Sequence, residues 1–168
     1  MLQIYVMVIY SILCRIGCNE NGFKFSKEED FSDSVAEGGF ISQSPAAGTQ
    51  LEKGSTVTVH YSKGKEPTME DKNALAKAEV YSSTMHMSKS RIYRQLTSSY
   101  GEGFTAEAAQ YAVDHLVADY KANALEKAKD YQTSMNMSKS RIYNQLTSSY
   151  GESFTAEEAQ YAIDNLPQ

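Results

Sequence analysis

The chain is short of the residues on which site chemistry usually depends. In 168 residues it has no tryptophan, two cysteines, three histidines and three prolines. Both cysteines, Cys14 and Cys18, fall at the very start of the chain. That leaves neither a disulfide framework nor the four-ligand spacing of a structural zinc site. There is no glycine-rich phosphate loop, no His-Glu-x-x-His helix and no Gly-x-Ser-x-Gly elbow. Acidic residues stand singly or in runs such as Glu28-Glu29-Asp30, without a paired acid and base. The expectation is therefore no catalytic residue, no metal and no cofactor. A basic excess is missing as well, since 16 lysines and arginines face 21 acidic residues for a formal charge of −5. With little to neutralise phosphates, nucleic acid is a disfavoured partner. What is present is ordinary: 41% hydrophobic and 22% charged residues, the composition of a chain that folds.

The organisation is far from ordinary. Asn73 to Leu116 matches Asn123 to Leu166 at an offset of 50, with 32 of 44 positions identical. Two copies of one module therefore fill the C-terminal half. Each copy reads as three short helices. In the first copy, Leu75, Ala78, Ser82 and Met85 line one face of a helix from about Asn73 to His86. Ser88 suits the N-cap of a second helix carrying Ile92, Leu96 and Tyr100 at intervals of four and ending at Gly101. Thr105 caps a third, with Phe104 placed to staple onto Ala109, and Ala109, Ala112, Val113 and Leu116 inward. In the second copy Thr155 and Glu158 take capping-box positions, with Ala159, Ala162, Ile163 and Leu166 inward. Modules this small bury little surface alone, so the copies need close packing or one another.

Upstream, glycines at 38, 39, 48 and 54 punctuate β-rich runs. Strands are expected over Phe23 to Phe31, Gly39 to Ser44 and Ser55 to Ser62, the last with Val57, Val59 and Tyr61 on one face and His60 on the wet one. The result is read as a three-stranded antiparallel sheet, and the whole as an α+β chain: a small helix-plus-sheet unit followed by two all-α three-helix repeats. The boundaries follow as 1–13 for an apolar N-terminal segment, 14–64 for the β-rich unit, 65–71 for a charged linker, and 72–119 and 120–168 for the repeats.

The run Leu2 to Leu13 is apolar but shorter than the roughly 20 residues that span a membrane. It also lacks the basic start of a secretory signal. Three readings stay open. Arg15-Ile-Gly-Cys18 resembles a lipoprotein cleavage box, with Cys18 lipidated. Alternatively Cys14 and Cys18 face inward on a helix packed against the sheet. In the third, Met1 is not the natural start, and membrane association comes through an anchor further upstream.

The sharpest candidate surface is Ser88-Lys-Ser-Arg-Ile-Tyr-Arg-Gln95, repeated as Ser138-Lys-Ser-Arg-Ile-Tyr-Asn-Gln145. Lys89, Arg91 and Gln95, with Lys139, Arg141 and Gln145, resemble the start of a groove-reading helix. The same residues suit protein or envelope binding, or a structural role. Glu66 to Gln168 carries 10 basic and 14 acidic residues, a balance of −4, which weakens the nucleic-acid reading. The histidines offer no shared site, because His86 and His115 become Asn136 and Asn165 in the second copy. Nine tyrosines in the repeat half supply either interface area or the core of a tryptophan-free module, and the second is the simpler reading.

Two resemblances add to this. Ser34-Val-Ala-Glu-Gly38, Phe40-Ile-Ser-Gln-Ser-Pro45, Ala47-Gly48-Thr49, Lys53-Gly-Ser-Thr-Val57 and Ser62-Lys-Gly64 resemble a PASTA domain. That resemblance implies one helix on a three-stranded sheet, an extracellular setting and peptidoglycan recognition. The family's extended opening segment is missing or replaced by Met1 to Leu13. Ala74-Leu, Ala78, Met87-Ser-Lys-Ser-Arg-Ile-Tyr93, Gln95-Leu-Thr-Ser, Gly101, Phe104-Thr105 and Ala109-Gln-Tyr-Ala112 resemble the Ltp-type host cell surface-exposed lipoprotein module, and so does the second copy. This implies a helix-turn-helix-like module of Gram-positive surface proteins and of prophage lipoproteins that block DNA entry by a superinfecting phage. Together they point to a noncatalytic protein at the cell surface, whose partners are cell-wall peptidoglycan or a surface or phage protein. The alternative is an intracellular helix-turn-helix DNA-binding protein. The sequence leaves the ligand, the anchoring mode and the oligomeric state open.

Overall fold

A computed structural model describes Leu2, Gln3, Cys18 and residues 22–167. The chain divides into two compact units near Glu66 and Pro67.

The first unit is built on the strand whose alternation is cleanest. Strands β1 (Leu2–Gln3), β2 (Lys24–Asp30), β3 (Phe40–Ser44), β4 (Gln50–Leu51) and β5 (Thr56–Ser62) form two sheets, the pair β1-β4 and the triple β2-β5-β3. On β5, Val57, Val59 and Tyr61 are buried, and they share a core with Phe23 and Cys18. The expected sheet needs one correction. Strand β3 runs antiparallel to β5, but β2 runs parallel to it, from Lys24 opposite Thr56 to Asp30 opposite Ser62. The Ser32–Gly39 connection therefore crosses from one edge of the sheet to the other and does not fold β2 back on β3. Apolar β5 takes the central position, where both of its edges are hydrogen-bonded, and charged β2 takes an outer edge, where charge discourages further pairing. His60 is not simply solvated on the outer face: its Nδ1 lies 2.6 Å from Asp30 Oδ2 and 3.8 Å from Glu28 Oε2 on the parallel neighbour. Cys18 is helical and 3% exposed, so its sulfur lies inside this core, while Cys14 falls outside the described residues. Of the apolar N-terminal run, the described pair Leu2 and Gln3 is paired antiparallel with Leu51 and Gln50.

The second unit holds six helices: α1 (Met69–Ser83), α2 (Lys89–Thr97), α3 (Ala106–His115), α4 (Tyr120–Ser134), α5 (Lys139–Thr147) and α6 (Ala156–Asn165). Helix α1 begins four residues before the expected Asn73, because Thr68 and Asp71 form a capping box in the charged stretch. Its buried stripe is Ala74, Ala78, Tyr81 and Ser82, whereas Met85 lies past the helix end and is exposed. Ser88, Thr105, Ser138 and Thr155 cap their helices as expected, the last with Glu158 in a capping box. Each repeat closes its own core. Ile92 and Leu96 meet Ala74, Ala78, Ala109 and Ala112 in the first, and Ile142 and Leu146 meet Ala124, Ala128, Ala159 and Ala162 in the second. Alanines let three short helices approach closely enough to bury two aliphatic residues from the middle one.

Helices α2 and α5 stop at Thr97 and Thr147, short of the expected glycines. The chain turns extended at Ser98 and Ser148, and the loop folds back so that Phe104 N donates to Leu96 O at 2.9 Å. Gly101 is thus not a helix terminus. A Cβ there would lie 2.3 Å from the Gln95 carbonyl oxygen, and one on Gly151 would lie 2.3 Å from that of Gln145. The glycines are required by this close backbone approach.

Candidate functional site

The two Ser-Lys-Ser-Arg segments have the same sequence and the same helical fold but opposite surroundings. The first faces the second repeat. Ser88 Oγ donates to Glu152 O at 2.6 Å, and Arg91 Nη1 donates to Gly151 O at 3.0 Å. The same Nη1 stands 2.9 Å from Glu152 Oε2, a close ion pair whose N–H is aimed at the neighbouring carbonyl and not at the carboxylate. Arg94 adds Nη1 to Ser149 O at 2.5 Å and Nη2 to Ser153 Oγ at 2.8 Å. On the other side of the junction, Asn123 Nδ2 donates to Ser82 Oγ at 2.9 Å and to Met87 O at 3.1 Å. The second segment faces solvent: Ser138, Lys139, Arg141 and Asn144 are all exposed.

Of the six residues singled out in the sequence, the structure thus divides related pairs. Arg91 is an internal clamp and Arg141 is presented outward. Lys89 pairs with Asp114 at 2.9 Å, and Lys139 Nζ lies 3.4 Å from Ile163 O. Gln95 and Gln145 are half-buried beneath the glycine loops, where Glu102 N and Glu152 N donate to their backbone carbonyls at 3.2 and 3.1 Å. They serve the fold of each repeat. A groove-reading α2 needs its leading arginines free, and both Arg91 and Arg94 are held by the second repeat.

The loop glutamates show the same division. Glu152 is 5% exposed between Arg91 and Tyr131, whose hydroxyl donates to Oε1 at 2.6 Å. Burial, then the hydrogen bond to Glu152, pushes the Tyr131 phenol up to about 12. Glu102 in the first repeat has 22% side-chain exposure, accepts from the Tyr81 hydroxyl, and meets Lys77 Nζ at 3.2 Å. The hydrogen bond from Tyr81, then that from Lys77, holds its carboxyl below the usual range. An open cleft of about 670 Å³ beside the junction is walled by Tyr93, Arg94 and Val113 from one repeat and Phe154 and Glu158 from the other.

Sequence reasoning placed Tyr100 on the helical stripe, and the structure corrects this. Tyr100 and Tyr150 stand at equivalent loop tips, 102% and 101% exposed, while Tyr81 is buried and Tyr131 half-buried. The signal that marks them is the Ser-Ser-Tyr-Gly string, in which a tight glycine turn directly follows the aromatic residue. The two histidines of the first repeat are accounted for by backbone roles. His86 and Asn136 have φ of 50° and 51°, a left-handed conformation in which histidine and asparagine are both enriched. His115 Nδ1 meets Tyr111 O at 2.8 Å, and Asn165 Nδ2 donates to Tyr161 O at 2.8 Å, the same carbonyl one turn back. Among the described residues no cluster of metal-binding side chains occurs, and no helix is long and apolar enough to cross a membrane.

Comparison with known proteins agrees with this architecture. Residues 18–63 match the PASTA domain. The solved structure of Ltp, a superinfection exclusion protein from the Streptococcus thermophilus temperate phage TP-J34, is 42% identical over 61% of this chain and 100% of that one, with a TM-score of 0.56. The entire extracellular region of the Ser/Thr kinase PrkC from Staphylococcus aureus is 35% identical over 40% of this chain and 25% of that one, with a TM-score of 0.34. Both matched families are noncatalytic surface or binding modules. Residues 69–116 and 119–166, more than half of the chain, match the family described as host cell surface-exposed lipoprotein, so the chain belongs to that family and to the cell surface.

Proposed function

We propose that this protein is a noncatalytic binding protein of the cell envelope that recognises wall polymer or a surface or phage protein, with a role like superinfection exclusion. The observation that carries the reading is the pair Tyr100 and Tyr150: one fully exposed aromatic residue per repeat, at the same loop position, on two repeats locked by Arg91 and Arg94. Exposed tyrosines supply amphipathic contact area at little entropic cost. Two copies on one compact unit raise the effective concentration for a repeated ligand even when each binds weakly. The match of 61% of this chain to the whole of a superinfection exclusion protein supports the phage-related role, and the PASTA domain supports wall polymer as a ligand.

Retention on purified peptidoglycan and on isolated surface and phage proteins is the test, together with phage challenge of cells displaying the chain. Capture by one of these, with phage adsorbing but failing to deliver DNA, is the expected result. No retention on any of them and no protection would overturn the reading.

A further inference from the structure

The junction between the repeats is head-to-tail: the Ser-x-x-Arg face of α2 sits on the Gly-Glu loop of the following repeat. Such an interface is heterologous, so its two halves recur unused at the outer ends of the pair. One outer end carries Ser138 and Arg141, both exposed. Among the described residues the Arg141 guanidinium makes no hydrogen bond or ion pair. The other end carries exposed Gly101 and half-buried Glu102, whose carboxylate is already oriented by Tyr81 and Lys77. These are the same residue types, in the same order, as the Ser88, Arg91, Gly151 and Glu152 contacts already formed inside the molecule.

We infer that the helical unit docks head-to-tail onto a second copy of this chain, with Arg141 and Ser138 of one copy seated on the Gly101–Glu102 loop of the next. Charge and hydrogen-bonding complementarity are those of the internal junction. The outer contact is weaker for a specific reason. Arg94 and Ser153, which bond each other across the internal junction, are replaced on the outer surfaces by Asn144 and Gly103. Both halves of one contact are therefore removed at the ends and kept in the middle. Likewise Ser82, which accepts from Asn123 across the internal junction, is replaced at the outer end by Gln132, a longer side chain whose Nε2 donates to Pro167 O at 3.2 Å. The association is open-ended, and it builds up where chains are concentrated on a surface.

Sedimentation equilibrium of the full chain over a wide concentration range tests this. The average mass is expected to rise with concentration and to return to the monomer value in Arg141→Ala, which removes an exposed side chain and leaves the fold intact by circular dichroism. Restoring the missing pair with Asn144→Arg and Gly103→Ser should tighten association at least about tenfold, the change that one added charge-assisted contact brings. Serine fits at position 103, since nothing lies within 4 Å of a Cβ there and Ser153 adopts the same positive φ. A wild-type chain that stays monomeric throughout overturns the proposal. So does association that Arg141→Ala leaves unchanged, which would place the contact elsewhere, or a double variant no tighter than the wild type.

Discussion

Arg91 stands 2.9 Å from the Glu152 carboxylate, while Arg141, at the identical place in the second repeat, points into solvent. Replacing Arg91 with alanine strands a buried carboxylate and leaves the Gly151 carbonyl without its donor. Because the guanidinium itself is 38% exposed, the loss is expected to be about 1–3 kcal/mol and not the full value of a buried pair. Arg141→Ala should change stability by less than about 0.5 kcal/mol. Urea unfolding of the two variants checks the asymmetry, and equal effects would contradict it.

The glycine loops make a second prediction. Gly101→Ala and Gly151→Ala each push a methyl group to 2.3 Å from a backbone oxygen that cannot yield without distorting α2 or α5. Each is expected to lower stability by about 2–4 kcal/mol. Gly103→Ala, with open space around its Cβ, pays only for its left-handed backbone, about 1 kcal/mol. Thermal melts should rank the three accordingly.

Tyr131 gives the unit a pH dependence at the alkaline end. Its phenol ionises at about 12 in the folded chain, raised by burial and by the hydrogen bond to Glu152. Against an unfolded value near 10, a raised pKa means that the protonated form favours folding. The stabilisation is complete below about pH 10 and declines as the pH climbs towards 12. Tyr131→Phe should remove this decline while lowering stability near neutral pH, where the Glu152 hydrogen bond is lost. Phenolate absorbance followed alongside unfolding provides the measurement.

Binding should depend on the loop tips and not on the fold. Tyr100→Ala and Tyr150→Ala are expected to leave melting within about 0.5 kcal/mol of the parent, because neither ring is packed. Each should weaken capture on the envelope ligand about tenfold, the loss typical of an aromatic anchor. Retention that survives the double substitution would remove these residues from the binding surface.

The histidines yield a prediction of no effect. Since His86 and His115 hold backbone geometry that Asn136 and Asn165 hold equally well, the double variant His86→Asn/His115→Asn should fold within about 1 kcal/mol of the parent and keep its capture activity. A large loss of capture with intact folding would show that the imidazoles do something more.

Much of the fold was legible because its signals are short-ranged. A cap acts within one turn, an apolar stripe repeats every three or four residues, and strand alternation needs only its own six or seven positions. Hence Ser88, Thr105 and Thr155 were found as caps, Ile92 and Leu96 as core, and Val57, Val59 and Tyr61 as the buried face of β5. The ends of α2 and α5 were misplaced because Tyr100 and Tyr150 continue a helical spacing that the backbone abandons. A loop held by Phe104 N to Leu96 O and by Gly101 against Gln95 competes successfully with one more turn of helix.

The amino-acid sequence by itself determined the six helices and the three strands of the larger sheet, which follow from neighbours a few residues away, and the existence of two equivalent modules, which follows from the match at an offset of 50; the short pair β1-β4 was not legible in it. Only the tertiary structure decided which arginine becomes a clamp and which a free surface, and that β2 runs parallel to β5. Two identical segments carry identical local information. Their difference lies in what each packs against, Arg91 meeting residues 60 positions further along the chain and the Arg141 guanidinium meeting none of the described residues.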